Sequence, residues 1–565
     1  MTETLDNMRE LLAPLVVLVC GMLVLLLDLR RKAFVARKSL AGVCQFGLFL
    51  AGIACAPALL SANDAGAKLL AADQSQARLF GAGMTLDGFG ALLNLILCLV
   101  AALVIGMSGR YLEDKKLPFG EFYALILFAS AGAMVMTCAL DLINLFVGLE
   151  VLSVALYILA GYARRELRSE EAAVKYFLLG AFASGFLLYG IALIYGAVGL
   201  AVKTGDLRPT IPSYTSLVTL TEVLQTTAKQ ASTSLAQSPL FLVGMVLVLV
   251  GLGFKASLVP FHAYAPDVYQ GAPAPVAAFM SAAAKIGAFG ALLRLLQCLA
   301  QVGAQADTLR SILWGIAIAS MLIGNIMAIR QTNIKRMLAF SSVAHAGYLL
   351  VGTIAASLVS QQGVVQGTAL ASDGVGFYLL AYSLMNVGAF AVTVWLGHSG
   401  EDERTQIAHF AGLGKRNPVA AATMTVLLLS LAGIPLTAGF VGKLYLFSAA
   451  FQAQLYWLAG LGLVISVIGV AYYLNLIVQM YFKEPLDDTN PEVRAGAAKT
   501  VAVLCAVLTL LLGVVPSGIL GPLKREYPTS LSLPDTSPVS GPAGAPSRPG
   551  GGRPGGGSGP MSTTN

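Results

Sequence analysis

Five ionisable residues stand inside otherwise apolar runs, and their types point to proton transfer. Glu150 is the acid in LINLFVGLEVLSVALYILAG, and Lys255 lies in LVGLGFKASLVPFH, five residues before Pro260. Lys285 sits among small residues in AAFMSAAAKIGAFGALLRLL, His345 in MLAFSSVAHAGYLLVG, and Lys443 in GIPLTAGFVGKLYLF, eight residues after Pro435. A charged side chain at the centre of a bilayer costs about 2.5–3.5 kcal/mol on insertion scales. Such residues normally persist only where they face a partner, an aqueous cavity or an ion path. Burial disfavours a charged lysine and a nearby carboxylate favours it. Movement of Glu150 relative to Lys255 would therefore switch that lysine between holding and releasing its proton. Lys255 could be reloaded from one side while Lys443 discharges to the other. His345, of a type that titrates near neutral pH, suits the middle of such a relay.

Each residue also has a plainer reading. Lys255 and Lys443 lie near helix breaks, from which a lysine can snorkel to an interface. Glu150 could be the structural counter-ion of a lysine, and His345 only an interhelical hydrogen-bond partner. Arg294 lies closer to a span end, and snorkelling is the role expected of it. Five such residues on separate spans are nevertheless hard to explain as packing.

The elements that must position these residues are membrane spans. Hydrophobic residues make up 57% of the 565 and charged residues only 12%, against about 25% charged in a soluble domain. Mean hydropathy is +0.77. Apolar runs long enough to cross about 30 Å of hydrocarbon as helices recur along the chain. The expected fold is all-α and polytopic, with about fourteen spans near 11–29, 40–61, 87–108, 121–139, 141–161, 173–200, 238–260, 274–300, 309–329, 337–356, 371–396, 418–451, 455–481 and 500–521. The twelfth run exceeds one crossing and contains Pro435, which predicts a broken helix there.

Net charge is +7, but the basic residues fall in alternate short loops, so charge signals topology rather than a nucleic-acid partner. These loops hold Arg30-Arg31-Lys32, Arg110 with Lys115-Lys116, Arg164-Arg165 with Arg168, Arg330 with Lys335-Arg336, Lys415-Arg416 and the 483–499 stretch. Facing them to the cytoplasm puts both termini on the periplasmic side. The seven cysteines form no CxxC pair and read as small buried hydrophobes. The acidic start, Met1–Glu10, is unlike a cleavable signal peptide. No phosphate loop, HExxH, CxxCH or convincing dinucleotide fingerprint is present, so no nucleotide, flavin, haem or metal is expected in this chain.

Two features recur in the same order. Tyr176-Phe177-Leu178-Leu179 is echoed by Phe377-Tyr378-Leu379-Leu380, and Val259-Pro260-Phe261 by Ile434-Pro435-Leu436. A repeat of five spans would make the second copy inverted, an arrangement that places ion sites on broken helices near the midplane. The expected organisation is N-terminal helices over 1–120, a first repeat over 121–300, a second over 301–481, a C-terminal span within 482–529, and a Pro/Gly/Ser-rich tail over 530–565, which is expected to be disordered.

At these residues the sequence resembles a known family. Gly253–Pro273, GFKASLVPFHAYAPDVYQGAP, resembles the seventh-to-eighth span signature of the antiporter-like subunits of respiratory complex I. Asn333–Gly347 and Gly433–Lys443 are similar to the tenth- and twelfth-span motifs. The DVYQGAP portion and the terminal lysine of the twelfth-span motif look like subunit N rather than subunits L or M. Tyr264 stands where Trp is usual and Ala274 where Thr is common; neither is one of the charged residues. The resemblance covers about residues 11–520. It implies a proton-translocating subunit of a bacterial inner-membrane NADH–quinone oxidoreductase, seated against other membrane subunits, the other antiporter-like ones above all. NADH, FMN, iron–sulfur clusters and quinone would be handled by other subunits. Glu150 and Lys255 would be the coupled pair, Lys285 the central relay, His345 part of the axis and Lys443 the exit-side carrier. The alternatives are a subunit of a cation/proton antiporter or membrane-bound hydrogenase, or a non-conducting membrane scaffold.

Overall fold

The computed structural model describes residues 2–30, 38–60, 83–229, 235–300, 307–359, 365–399, 402–485 and 496–516. The tail expected over 530–565 lies outside the described residues. Seventeen helices of eight residues or more carry the description, and the order is set by where polar residues interrupt apolar runs. α1 (Thr2–Arg30) and α2 (Lys38–Leu60) are followed by α3 (Gly88–Asp114), α4 (Gly120–Cys138), α5 (Leu142–Ala160) and the long α6 (Leu167–Thr204). A short α7 (Leu217–Lys229) precedes α8 (Pro239–Ala256), α9 (Tyr264–Gly271), α10 (Ala274–Ala300), α11 (Asp307–Ile329), α12 (Ile334–Val359) and α13 (Val365–Leu396). α14 (Pro418–Ala432), α15 (Ala438–Gln452), α16 (Tyr456–Phe482) and α17 (Ala497–Val514) complete the set. The only named strands among the described residues form a two-residue hairpin pairing His398–Ser399 with Asp402–Glu403.

Thirteen described helices are long and apolar enough to cross a membrane. The twelfth expected span is the pair α14 and α15, broken at residues 433–437 as Pro435 predicts. The seventh span differs from its expected limits. It runs as α8 to Ala256, breaks over 257–263, and resumes as α9 to Gly271, so the interruption lies inside the element rather than at its end.

Local chemistry fixes these boundaries. Asp87 caps α3 by accepting from Gly90 N–H at 2.7 Å, and Asp141 caps α5 by accepting from Ile143 N–H at 2.8 Å. Pro418 stands in the first turn of α14, where its missing N–H would have no partner anyway, behind the Asn417 cap. Gly433, at φ +88°, closes α14 in the left-handed region.

Burial defines the centre. Every residue in the most apolar window of α10 and of α12 is buried, whereas the outer helices α1, α2, α6 and α16 are only one-third buried over theirs. The outer faces carry exposed Phe46, Phe49, Phe182, Tyr189, Val464 and Val467, the apolar surface that lipid or neighbouring membrane subunits cover. Lys285 and His345 thus stand on the two innermost helices.

Candidate functional site

At one end of the site, α5 presents Glu150 and Tyr157, seven residues apart and therefore on one helix face. The face meets the C-terminus of α8, where Lys255 is 2% exposed. The ammonium lies 5.0 Å from the Tyr157 ring centroid and 5.1 Å from that of Tyr176 on α6, a cation–π cage. Gly180 opens the space for the Tyr157 hydroxyl, since a Cβ there would meet that oxygen at 2.0 Å. Lys255 Nζ, Glu150 Oε1 and Tyr157 OH are all buried and have no hydrogen-bond partner. Glu150 and Lys255 are therefore neighbours in the fold but are not hydrogen-bonded. Buried polar atoms left unpaired each cost about 1–3 kcal/mol, so the three together are a local cost that packing alone does not explain.

The break after Lys255 is held by side chains. Tyr264, the first residue of α9, donates to Phe254 O at 3.0 Å and lies 2.9 Å from Ser257 Oγ. Val259 N–H donates to Ser320 Oγ on α11 at 3.0 Å. Irregular backbone at membrane depth is tolerated only where it is satisfied in this way. The far end of α9 is capped by Lys335, 3% exposed, whose Nζ donates to Ala272 O at 2.8 Å. Asp267 on α9 bridges Lys175 on α6 and Arg336 on α12, at 2.9 and 2.5 Å.

The second group is centred on α10 and α12. Lys285 Nζ donates to Ser342 Oγ and lies 5.9 Å from the Tyr382 ring centroid. His345 is 1% exposed, with Nδ1 2.7 Å from Tyr378 OH and Nε2 3.2 Å from Tyr473 OH. A neutral imidazole offers one donor and one acceptor, so one tyrosine must accept and the other donate. Exchange of tautomer reverses both roles. The Tyr473 hydroxyl also bonds Ser341 Oγ. Tyr382 packs 5.2 Å from His345, and Tyr348 5.7 Å from it, so His345 shares one ring with Lys285 and the other with Lys443.

Lys443, on α15, is 7% exposed and donates to Ala432 O at 2.9 Å and Leu431 O at 3.2 Å. These are terminal carbonyls of the half-helix α14, the negative end of its dipole. Gly433 makes the approach possible, because a Cβ there would lie 3.0 Å from Lys443 Cδ. The Lys443 ammonium is 5.1 Å from the Tyr348 ring centroid. Tyr348 in turn accepts from Asn325 Nδ2 at 2.9 Å.

Two groups result: Glu150 with Lys255, and Lys285 with His345 and Lys443. No hydrogen bond joins Lys255 to Lys285. Neither Lys255 nor Lys443 snorkels to an interface. Arg294 does not either, contrary to expectation. It is 3% exposed and makes a bidentate pair with Asp87, at 2.7 and 3.0 Å, while its Nε donates to Thr137 O at 2.7 Å. The pair is out of reach of a reading along the chain because Asp87 is 207 residues away. The roles of the tyrosines around His345 and of Lys335 are not among the sequence expectations, which hold Tyr378 only as part of an echo and Lys335 only as a loop charge. The signal that could have found them is the presence of Tyr and Asn in runs otherwise free of polar groups.

The Arg294 pair gives a stability prediction. Arg294→Met leaves the Asp87 carboxylate unpaired and should destabilise the folded subunit by about 3–5 kcal/mol, read as a fall in thermal stability and in assembled protein. Combining it with Asp87→Asn removes the orphaned charge while keeping the cap, and should restore most of the loss. A double variant no better than the single would show that the pair is not the cause.

Residues 139–469 match the family model described as the transmembrane region of NADH:quinone oxidoreductase and Mrp antiporters. A curated relative, NADH-quinone oxidoreductase subunit N of Trichlorobacter lovleyi, is 40% identical over 518 residues, covering 91% of this chain and 96% of the relative. A chain of respiratory complex I from Thermus thermophilus with bound aureothin is 32% identical with TM-score 0.66, covering 90% and 98%. A chain of an archaeal membrane-bound sulfane sulfur reductase is 25% identical with TM-score 0.75, covering 93% and 99%.

Proposed function

We propose, given that the chain belongs to the NADH:quinone oxidoreductase/Mrp antiporter membrane family, that Glu150, Lys255, Lys285, His345 and Lys443 form the route by which it carries protons. The chain is a proton-translocating membrane subunit of NADH-quinone oxidoreductase, of the subunit N type. It is a multi-pass protein of a bacterial respiratory complex and sits with other antiporter-like membrane subunits. In this reading NADH, FMN, iron–sulfur clusters and quinone are handled by those other subunits, and the termini lie on the periplasmic side, as the basic loops argue. The two sets of spans, 121–300 and 301–481, act as inverted halves, flanked by helices over 1–120 and 482–529. The matching breaks after Lys255 and before Lys443 support that division.

The observation that carries the relay is the pairing of two buried lysines with broken helices on either side of a Lys285–His345 core. Lys255 has no hydrogen-bond partner and is caged by aromatic rings, so its charge depends on Glu150. Approach of the carboxylate holds the proton on Lys255, and withdrawal releases it towards Lys285. The proton on Lys285 passes to the Ser342, Tyr382 and His345 group. His345, between Tyr378 and Tyr473, hands it on by exchange of tautomer. Lys443 receives it at the negative end of α14 and discharges it outward. The Glu150–Lys255 separation is the gate that prevents back-leak.

Glu150→Gln keeps size and removes the switching charge. Proton pumping driven by NADH should fall by about tenfold, equivalent to about 1.4 kcal/mol, while Glu150→Asp retains part of it. Undiminished pumping by an assembled Glu150→Gln complex would sink the gate.

A further inference from the structure

We propose that a cavity at the basic-loop end of the bundle binds the phosphate headgroup of an anionic phospholipid. The cavity, of about 720 Å³, forms where the ends of α3 and α13, the turns over 115–118 and 162–166, and the start of α17 meet. Its size falls in the range of about 300–1,000 Å³ usual for small-molecule sites. None of its walls belongs to the proton-transfer residues, so the inference stands apart from the relay.

Three of its cations are already matched. Arg110 pairs with Asp114 at 3.7 Å, Lys115 with Glu166 at 2.6 Å and Arg164 with Glu121 at 3.8 Å. Lys116 and Arg165 also line the cavity, and neither has a carboxylate partner among the described residues. A second, independent observation lies in the wall. Trp395 is 4% exposed and its indole Nε1–H is buried without an acceptor. Lys499 Nζ sits 5.7 Å from the same ring. Two exposed cations without a carboxylate partner, set in one cavity beside a tryptophan with an unsatisfied N–H, suit one ligand with several anionic oxygens, which is the chemistry of a phosphate.

The remaining wall favours a phosphate carried on a lipid over a free one. Leu117, Val394 and Leu396 line the cavity beside the charges and would cover the glycerol and first methylenes of a phospholipid. The walls are ends of membrane-spanning helices on the side bearing the basic loops, the level at which headgroups lie. Basic pockets between helices on that side suit anionic lipid heads, and a tryptophan is at home there.

The test uses the intact complex in detergent with phosphatidylglycerol carrying a photoactivatable group near its head, followed by peptide mapping. The wild-type complex should crosslink through peptides containing Trp395 or the 115–118 turn. Lys116→Gln with Arg165→Gln should need about thirtyfold more lipid for the same yield, at about 1 kcal/mol per basic residue. Trp395→Phe, which leaves all charge in place, should also weaken the crosslink, and phosphatidylcholine should not compete. Equal labelling of the double variant would overturn the site. Complete protection by inorganic phosphate would assign it to a free anion instead, and absence of any labelling in the wild-type complex would mean that another subunit fills the cavity.

Discussion

Lys443→Met should abolish most NADH-driven proton pumping in an assembled complex, and Lys443→Arg should not restore it. The ammonium is bound by the Leu431 and Ala432 carbonyls at the end of α14, so a positive charge is favoured there on structural grounds alone. Methionine fits a similar volume, and the expected loss is about a hundredfold, the low end of what removal of a positioned acid–base group costs. Arginine separates the two roles of the lysine. It keeps the charge on the carbonyls, but a guanidinium does not give up its proton in a protein. A structural counter-charge would be rescued by arginine, whereas a carrier is not. Pumping and NADH oxidation measured side by side in membrane vesicles decide between them.

Lys285→Met should have an effect at least as large, because no parallel route is evident among the described residues. Lys285 stands on the innermost helix α10 and donates to Ser342 on α12, and in the proposed relay it comes between the Glu150–Lys255 pair and His345. Without it, a proton leaving Lys255 has no ionisable residue of the set before His345. Transport against a membrane potential requires about 2.3 kcal/mol per charge per 100 mV, so an interrupted relay stalls rather than slows. If proton movement and quinone reduction are tightly coupled, NADH oxidation falls with it.

Much of this arrangement is legible along the chain, and the rest is not for a definite reason. Span number and the break at Pro435 follow from the length of apolar runs and from the missing N–H of proline. The five ionisable residues stand out because charge is so rare in those runs. The snorkelling expected of Arg294 fails because its partner, Asp87, caps a helix 207 residues away, and hydropathy does not reveal which helix faces meet. Lys335 reads as a loop charge in a topology pattern, yet it caps α9 from inside. The tyrosines on either side of His345 come from α13 and α16, and only packing brings them to one imidazole. The limit expected at residue 260 cuts the seventh span short, because the eight residues of α9 are too few to announce themselves as half a span.

The account stands or falls on whether protons pass through the buried centre. Protons moved and NADH oxidised, measured together in membrane vesicles carrying Lys285→Met with assembly verified, test this most directly. The expected result is loss of pumping in an assembled complex, with oxidation falling alongside. Pumping and oxidation both unchanged would contradict the relay and make Lys285 a structural charge.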